Sequence, residues 1–183
     1  WFENQLVVDR ENDVIRFINQ QKESVSNSLQ AELSLEPVKN FTVRMAYKYL
    51  DVKARYGESL QSKVMIPKHR GFLNAAYLTR NKRWDFDLTL SIFGKARLAQ
   101  SPNPDADEYS RVFPKLNSQI TYRYKTWEFY LGGENLTNFR QENPIIEAEN
   151  PFGSNFDATR AWGPVIGYNL YFGIRFAIHK KKS

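Results

Sequence analysis

The chain of 183 residues contains no cysteine and only two histidines, His69 and His179. That excludes a disulfide framework, a thiolate zinc site, a cysteine nucleophile and a multi-histidine metal centre. No run of 18 apolar residues occurs, so no membrane-spanning helix is expected. There is no G-x-S-x-G, H-E-x-x-H, P-loop or G-x-G-x-x-G, and no enzyme or cofactor is expected. The net charge of +6 is not gathered into a nucleic-acid arm, and Lys180–Lys182 is too short to act as one. The chain is not short of aromatics: 4 Trp, 10 Tyr and 13 Phe make up 15% of it, which excludes disorder. It opens at Trp1 without Met or a signal peptide, as expected of a processed chain or a fragment.

Negative mean hydropathy does not imply a soluble protein, because a membrane barrel alternates lipid-facing with lumen-facing side chains. Period-two alternation is widespread. Trp84, Phe86, Leu88, Leu90 and Ile92 share one face, and Asp85, Asp87, Thr89 and Ser91 the other. A helix would scramble that pattern. Ile166, Tyr168, Leu170, Phe172, Ile174, Phe176 and Ile178 form a second such row. Leu116, Ser118, Ile120, Tyr122 and Tyr124 alternate with Asn117, Gln119, Thr121 and Arg123. Further strands are expected over 29–35, 41–49 and 127–131, and, with blurred faces, over 2–9, 13–20 and 70–80.

About eight strands are expected in all. Short links at 9–13, 36–40, 81–83 and 125–126 alternate with long ones at 57–69, 98–112 and 134–164. The link at 20–25 is short for its place in the series. Short turns at one end and long loops at the other are the signature of an outer-membrane barrel. A soluble antiparallel barrel, with the apolar face turned inward, shares the alternation. The bulk of the apolar side chains, Trp and Tyr near strand ends and the unequal loops favour the membrane.

The terminal run Tyr171-Phe172-Gly173-Ile174-Arg175-Phe176-Ala177-Ile178 resembles the signal read by the barrel assembly machinery, with Tyr171, Gly173, Phe176 and Ile178 at the matching positions. The tail from His179 to Ser183 departs from barrels that end on the terminal aromatic. The segment Tyr130-Leu131-Gly132-Gly133-Glu134-Asn135-Leu136-Thr137-Asn138-Phe139 resembles the penultimate strand of TonB-dependent outer-membrane receptors. Asn143-Pro144-Ile145-Ile146, Asn150-Pro151-Phe152, Phe156-Asp157-Ala158 and Trp162-Gly163-Pro164 follow in an order similar to receptors of the Bacteroidota. Ser28-Leu29-Gln30-Ala31-Glu32-Leu33 and Ile66-Pro67-Lys68-His69-Arg70 resemble a strand and a loop of the same barrels.

The resemblance implies an all-β, antiparallel transmembrane β-barrel. Residues 1–183 would be the C-terminal part of a 22-stranded barrel, with plug and N-terminal strands absent. The implied function is active transport of a scarce ligand (metal chelate, cobalamin, glycan or peptide) across the bacterial outer membrane. The implied partners are outer-membrane lipid, the remaining plug and barrel, and the TonB complex acting through the plug. The alternative is a complete eight-stranded outer-membrane barrel with a structural or adhesion role. An outer-membrane hydrolase and a soluble ligand-binding barrel rank below both.

Loop 134–164 is too long to be structureless, and its expected place is the outer mouth. Arg140, Glu142, Phe152, Asp157, Arg160 and Trp162 are its ligand candidates. Phe152, Phe156 and Trp162 are expected to cluster and pin it to the rim. Asp85, Asp87, Asn117, Gln119 and Arg123 are lumen candidates, with ordinary water-facing charge as the plainer role. Asp105, Asp107 and Glu108 lack the regular spacing and glycine of a calcium loop. His69 is a rim candidate, or simply a structural loop histidine.

Overall fold

In the computed structural model, the residues described are 5–9, 16–20, 24–56, 59–101 and 106–178. They contain ten strands: β1 (Gln5–Asp9), β2 (Arg16–Gln20), β3 (Val25–Val38), β4 (Phe41–Tyr56), β5 (Ser59–Ser62), β6 (His69–Leu78), β7 (Trp84–Phe93), β8 (Phe113–Tyr124), β9 (Trp127–Glu134) and β10 (Asn169–Phe176). Eight belong to one antiparallel sheet, in the order β10-β9-β8-β7-β6-β4-β3, with short β5 paired to β4. β1 and β2 form a separate hairpin. The expected count of about eight strands therefore holds for the main sheet. Strand β5 lies inside the stretch expected to be a loop from 57 to 69, and β10 begins three residues later than the expected 166.

The short links follow from local chemistry. Asn40 takes the left-handed conformation (φ 66°) that closes the β3–β4 turn, and Lys125 (φ 54°) does the same between β8 and β9. The Asn40 amide donates to Glu36 Oε1 at 2.8 Å. The β3–β4 register shifts between Leu35 and Val38, where Pro37 has no amide to donate to a ladder. Among the described residues, β3 and β10 each pair on one side only, so the sheet is an open arc.

Register fixes the faces. Opposed residues share a face, so Val43, Ala75, Leu88 and Ser118 lie in one row and Met45, Leu73, Leu90 and Leu116 in the next. Leu131, Phe172, Phe129, Ile174, Trp127 and Phe176 extend this apolar face across β9 and β10. The other face carries Arg44, Asn74, Thr89, Asn117, Asp87, Gln119, Arg123, Glu128 and Arg175.

The apolar face is the exposed one. Along β7, Trp84, Phe86, Leu88 and Ile92 are exposed while Asp85, Asp87, Thr89 and Ser91 are half-buried. Phe172 is 81% exposed and Leu131 58%. The buried apolar residues among those described are Ala54, Ala96, Leu98, Ala99 and Phe113, none of them in the apolar band. A soluble sheet would bury this face, since contiguous exposed apolar patches beyond a few hundred Å² are rare in water. Here burial is inverted, as a lipid solvent requires.

Aromatic side chains mark both margins. Trp84 packs on Tyr122 (4.6 Å between centroids), Trp127 on Phe176 (4.6 Å) and Phe41 on Tyr77 (6.5 Å) beside the short turns. Toward the long loops, His69 lies against Tyr47 and Tyr49, and its Nδ1 shares a 2.7 Å hydrogen bond with the Tyr47 hydroxyl. Such amphipathic rings suit a membrane–water boundary.

Candidate functional site

Two groups of polar side chains stand out, one at each end of the polar face. Near the short turns, Asp85 on β7, Arg123 on β8, Glu128 on β9 and Arg175 on β10 alternate in sign across four strands. Arg123 Nη2 donates to Asp85 Oδ2 at 2.9 Å and its Nε to Glu128 Oε1 at 3.0 Å; Arg175 donates to the other Glu128 oxygen. Asp87 accepts from Asn74 Nδ2 at 2.9 Å and Thr89 Oγ1 at 3.2 Å. Gln119 accepts from the Tyr171 hydroxyl at 3.0 Å. Asp85, Asp87, Gln119, Arg123, Glu128 and Arg175 line a cavity of about 330 Å³.

Tyr171 and Tyr130 are locked by glycines opposite them. A Cβ on Gly132 would fall onto the Tyr171 ring, and one on Gly173 onto the Tyr130 ring. Of the terminal-signal residues, Tyr171 and Gly173 therefore face the polar side, while Phe176 lies on the apolar face. Ile178 lies past the end of β10 and is exposed.

At the other end, the segment 135–168 folds over the tops of β8 and β9. Asn135 is 4% exposed and left-handed (φ 50°). Its amide donates to Asn117 Oδ1 at 3.0 Å, and its Nδ2 to the carbonyls of Phe139 (2.8 Å) and Ile166 (3.2 Å). The Leu136 amide donates to Leu116 O, and Thr137 Oγ1 to Pro114 O. The Asn-Leu-Thr-Asn element thus ends β9, covers β8 where β9 no longer reaches, and holds the approach to β10. Asn117, a lumen candidate, serves as one of its acceptors.

Gln141, not singled out in the sequence, is the central staple. Its Nε2 donates to Arg160 O at 2.8 Å, and its Oε1 accepts from the Trp162 and Gly163 amides at 2.7 and 3.0 Å. Arg160 is 5% exposed and donates to the backbone carbonyls of Ala99 (2.6 Å) and Asp107. Asp157 caps a turn by accepting from the Thr159 amide and hydroxyl, and Ile146 and Asp157 bridge through their backbones.

The aromatic anchor differs from the expected one. Trp162 lies against Phe113 (5.8 Å) and Phe139 (6.0 Å), and Phe113 stacks on Phe93 (4.8 Å) and Phe139 (4.7 Å). Phe152 is 100% exposed, outside the cluster, because the turn at 150–153 lifts it from the surface. Spacing located the aromatics but not the turn that separates them. Arg140 and Glu142 are exposed, and Glu142 pairs with Arg111 at 3.5 Å. They line a cavity of about 760 Å³ with Trp162, Arg160, Glu147 and Glu149. Asp105 and His179 lie outside the described residues. Among those residues no group of three acidic or histidine side chains is placed to hold a metal ion.

The fold is that of an antiparallel transmembrane β-barrel wall: polar on its enclosed face, apolar on its exposed one, with short turns at one margin and folded loops at the other. Among the solved structures that share it are three receptors. The ferric enterobactin receptor PfeA of Pseudomonas aeruginosa, solved as the mutant R480A in complex with enterobactin, matches with a TM-score of 0.64 at 14% identity over 88% of this chain. The ferric-catecholate import receptor Fiu of E. coli K12 matches with 0.60 at 13% over 90%, and the siderophore receptor PiuA of Acinetobacter baumannii with 0.56 at 13% over 84%. The chain spans 22–24% of the length of these receptors. No protein-family model matches the chain, and no curated protein matches it in sequence.

Proposed function

We propose that the chain is the C-terminal part of a 22-stranded, TonB-dependent outer-membrane receptor of Bacteroidota type. It walls the channel, and its long loops shape the outer mouth. One observation carries this reading: the apolar side chains lie on the exposed face of an open arc whose enclosed face is polar. The single-sided edges at β3 and β10 support a partial barrel over a complete eight-stranded one, because lipid leaves unpaired backbone groups unsatisfied. The polar face, with its Asp85–Arg123–Glu128–Arg175 ladder, suits a plug folded inside the barrel, through which an inner-membrane TonB complex acts. Barrel assembly machinery takes the last strand as its signal.

The receptors of similar fold take up ferric siderophores, which supports an iron–siderophore chelate as the ligand class. In this chain, segment 134–164 sets Glu134, Glu142, Glu147, Glu149 and Asp157 against Arg140 and Arg160. With Arg160 already holding two carbonyls, the mouth favours a neutral or cationic chelate over a strongly anionic one. The test is energised uptake by cells carrying the full-length protein, using a panel of ferric chelates, cobalamin, oligosaccharides and peptides. Uptake abolished by a protonophore, and reduced about tenfold by the loss of charge-assisted contacts in the Arg140→Ala, Glu142→Ala double variant, is expected. A folded, surface-exposed protein that takes up none of the panel overturns the transport reading.

A further inference from the structure

Gly71 sits on the apolar face of β6, between Tyr47 of β4 and Ile92 of β7. Nothing in the backbone demands a glycine there. A Cβ at Gly71 would meet only Ile92 Cβ, at an ordinary 3.7 Å, and the residue has no left-handed φ. The missing side chain opens a gap in the apolar band. The gap continues toward the long loops as a groove of about 790 Å³, floored and walled by Tyr47, Ile66, Gly71, Ile92 and Val112. At its loop end stand Lys68, Lys95 and Arg97, with no carboxylate in the lining.

These cations are placed rather than scattered. Arg97 is buried, its Nε held by the Ser62 carbonyl at 2.7 Å. Lys68 pairs with Asp51 at 3.2 Å, and Asp51 also binds Lys53 at 3.2 Å, so one carboxylate faces two ammonium groups. Lys95 is exposed and has no carboxylate partner among the described residues. An apolar trough that ends in a cationic rim, on the outward face and at the level of the Tyr47–Tyr49–His69 belt, matches a molecule with acyl chains below and phosphate above.

We propose that this groove binds a phosphorylated acyl lipid of the surrounding outer leaflet, its chain lying over Gly71 and its phosphate between Lys68, Lys95 and Arg97. The proposal rests on the membrane reading of the apolar band. It concerns the outward wall, away from the polar face and the mouth. The groove crosses three central strands, so it is distinct from the open edges of the arc.

The test uses the full-length protein purified in detergent and native mass spectrometry with added bis-phosphorylated lipid A. Parallel arms use the same lipid stripped of its phosphates, zwitterionic phosphatidylethanolamine and inorganic pyrophosphate. Lipid A adducts are expected to survive best. Lys68→Ala and Lys95→Ala should each weaken them about fivefold, the contribution of one lysine near an anionic lipid surface. Gly71→Leu should weaken both phosphorylated and stripped lipid by filling the trough; Gly71→Ala, which the spacing admits, is the gentler variant if leucine prevents folding. Heat-modifiable migration reports folding of each variant. Equal retention of lipid A by both lysine variants overturns the proposal, as does equal retention of the stripped lipid or pyrophosphate binding as tight as lipid A. A wild-type protein that neither shows heat-modifiable migration nor inserts into vesicles removes the membrane reading itself, a separate failure.

Discussion

Ala75 and Ala76 are adjacent, identical in side chain and on opposite faces of β6, which makes them a controlled test of the inverted sheet. Ala75 lies opposite Leu88 and Ala76 opposite Asp87. Leu88 is four residues from Trp84 and four from Ile92 along β7. At a rise of about 3.4 Å per residue, that puts it roughly 14 Å along the strand from each margin of the apolar band, near its middle. Arginine on the lipid face at that depth costs about 2–4 kcal/mol. The same substitution at Ala76 sets a guanidinium beside Asp87 in the polar face, where an accessible ion pair is worth about 0–1 kcal/mol. The two variants should therefore differ by about 2–5 kcal/mol, Ala75→Arg lowering the folding equilibrium by a factor of about 30 to 4,000 relative to Ala76→Arg, since 1.4 kcal/mol is tenfold. Urea titration of the full-length protein refolded into lipid vesicles, with tryptophan fluorescence and heat-modifiable migration as readouts, measures the difference. Equal costs, or a larger cost at Ala76, would refute the face assignment, because a one-residue register slip exchanges the two faces.

Gly173→Val should displace the Tyr130 ring and slow assembly of the full-length barrel, read as unfolded precursor in pulse–chase fractions. The exposed Phe152→Ala should leave stability within about 0.5 kcal/mol of wild type, whereas Trp162→Ala, which opens the Phe113–Phe139 stack, should cost about 1–3 kcal/mol in the same urea titration. Gln141→Ala removes three side-chain hydrogen bonds and should increase amide exchange at Trp162 and Gly163 by at least tenfold, with β7 and β8 unchanged. Arg123→Leu breaks both ion pairs at the middle of the four-strand ladder and should cost about 1–2 kcal/mol, less in high salt.

The fold was legible because a strand writes its two faces into alternate residues. Trp84 to Ile92 and Leu170 to Phe176 needed no partner to declare which side chains travel together. The loop staples were not legible. Gln141 resembles any loop glutamine until the chain brings Arg160, Trp162 and Gly163 back to it, and Phe152 resembles Trp162 until a turn separates them. Nor does alternation say which face is enclosed. A soluble barrel and a membrane barrel have the same period; the register of seven paired strands gathered the apolar rows on one face, and only their exposure showed that face to be the outer one, with the carboxylates and guanidinium groups on the other. The groove over Gly71 belongs to the same category. By itself the sequence determined period, the short turns between neighbouring strands and the stock of aromatics, all set by neighbours in the chain. Tertiary structure decided which face meets lipid, which loop residues bind backbone and where the cations gather, because those depend on residues far apart in sequence sharing one surface.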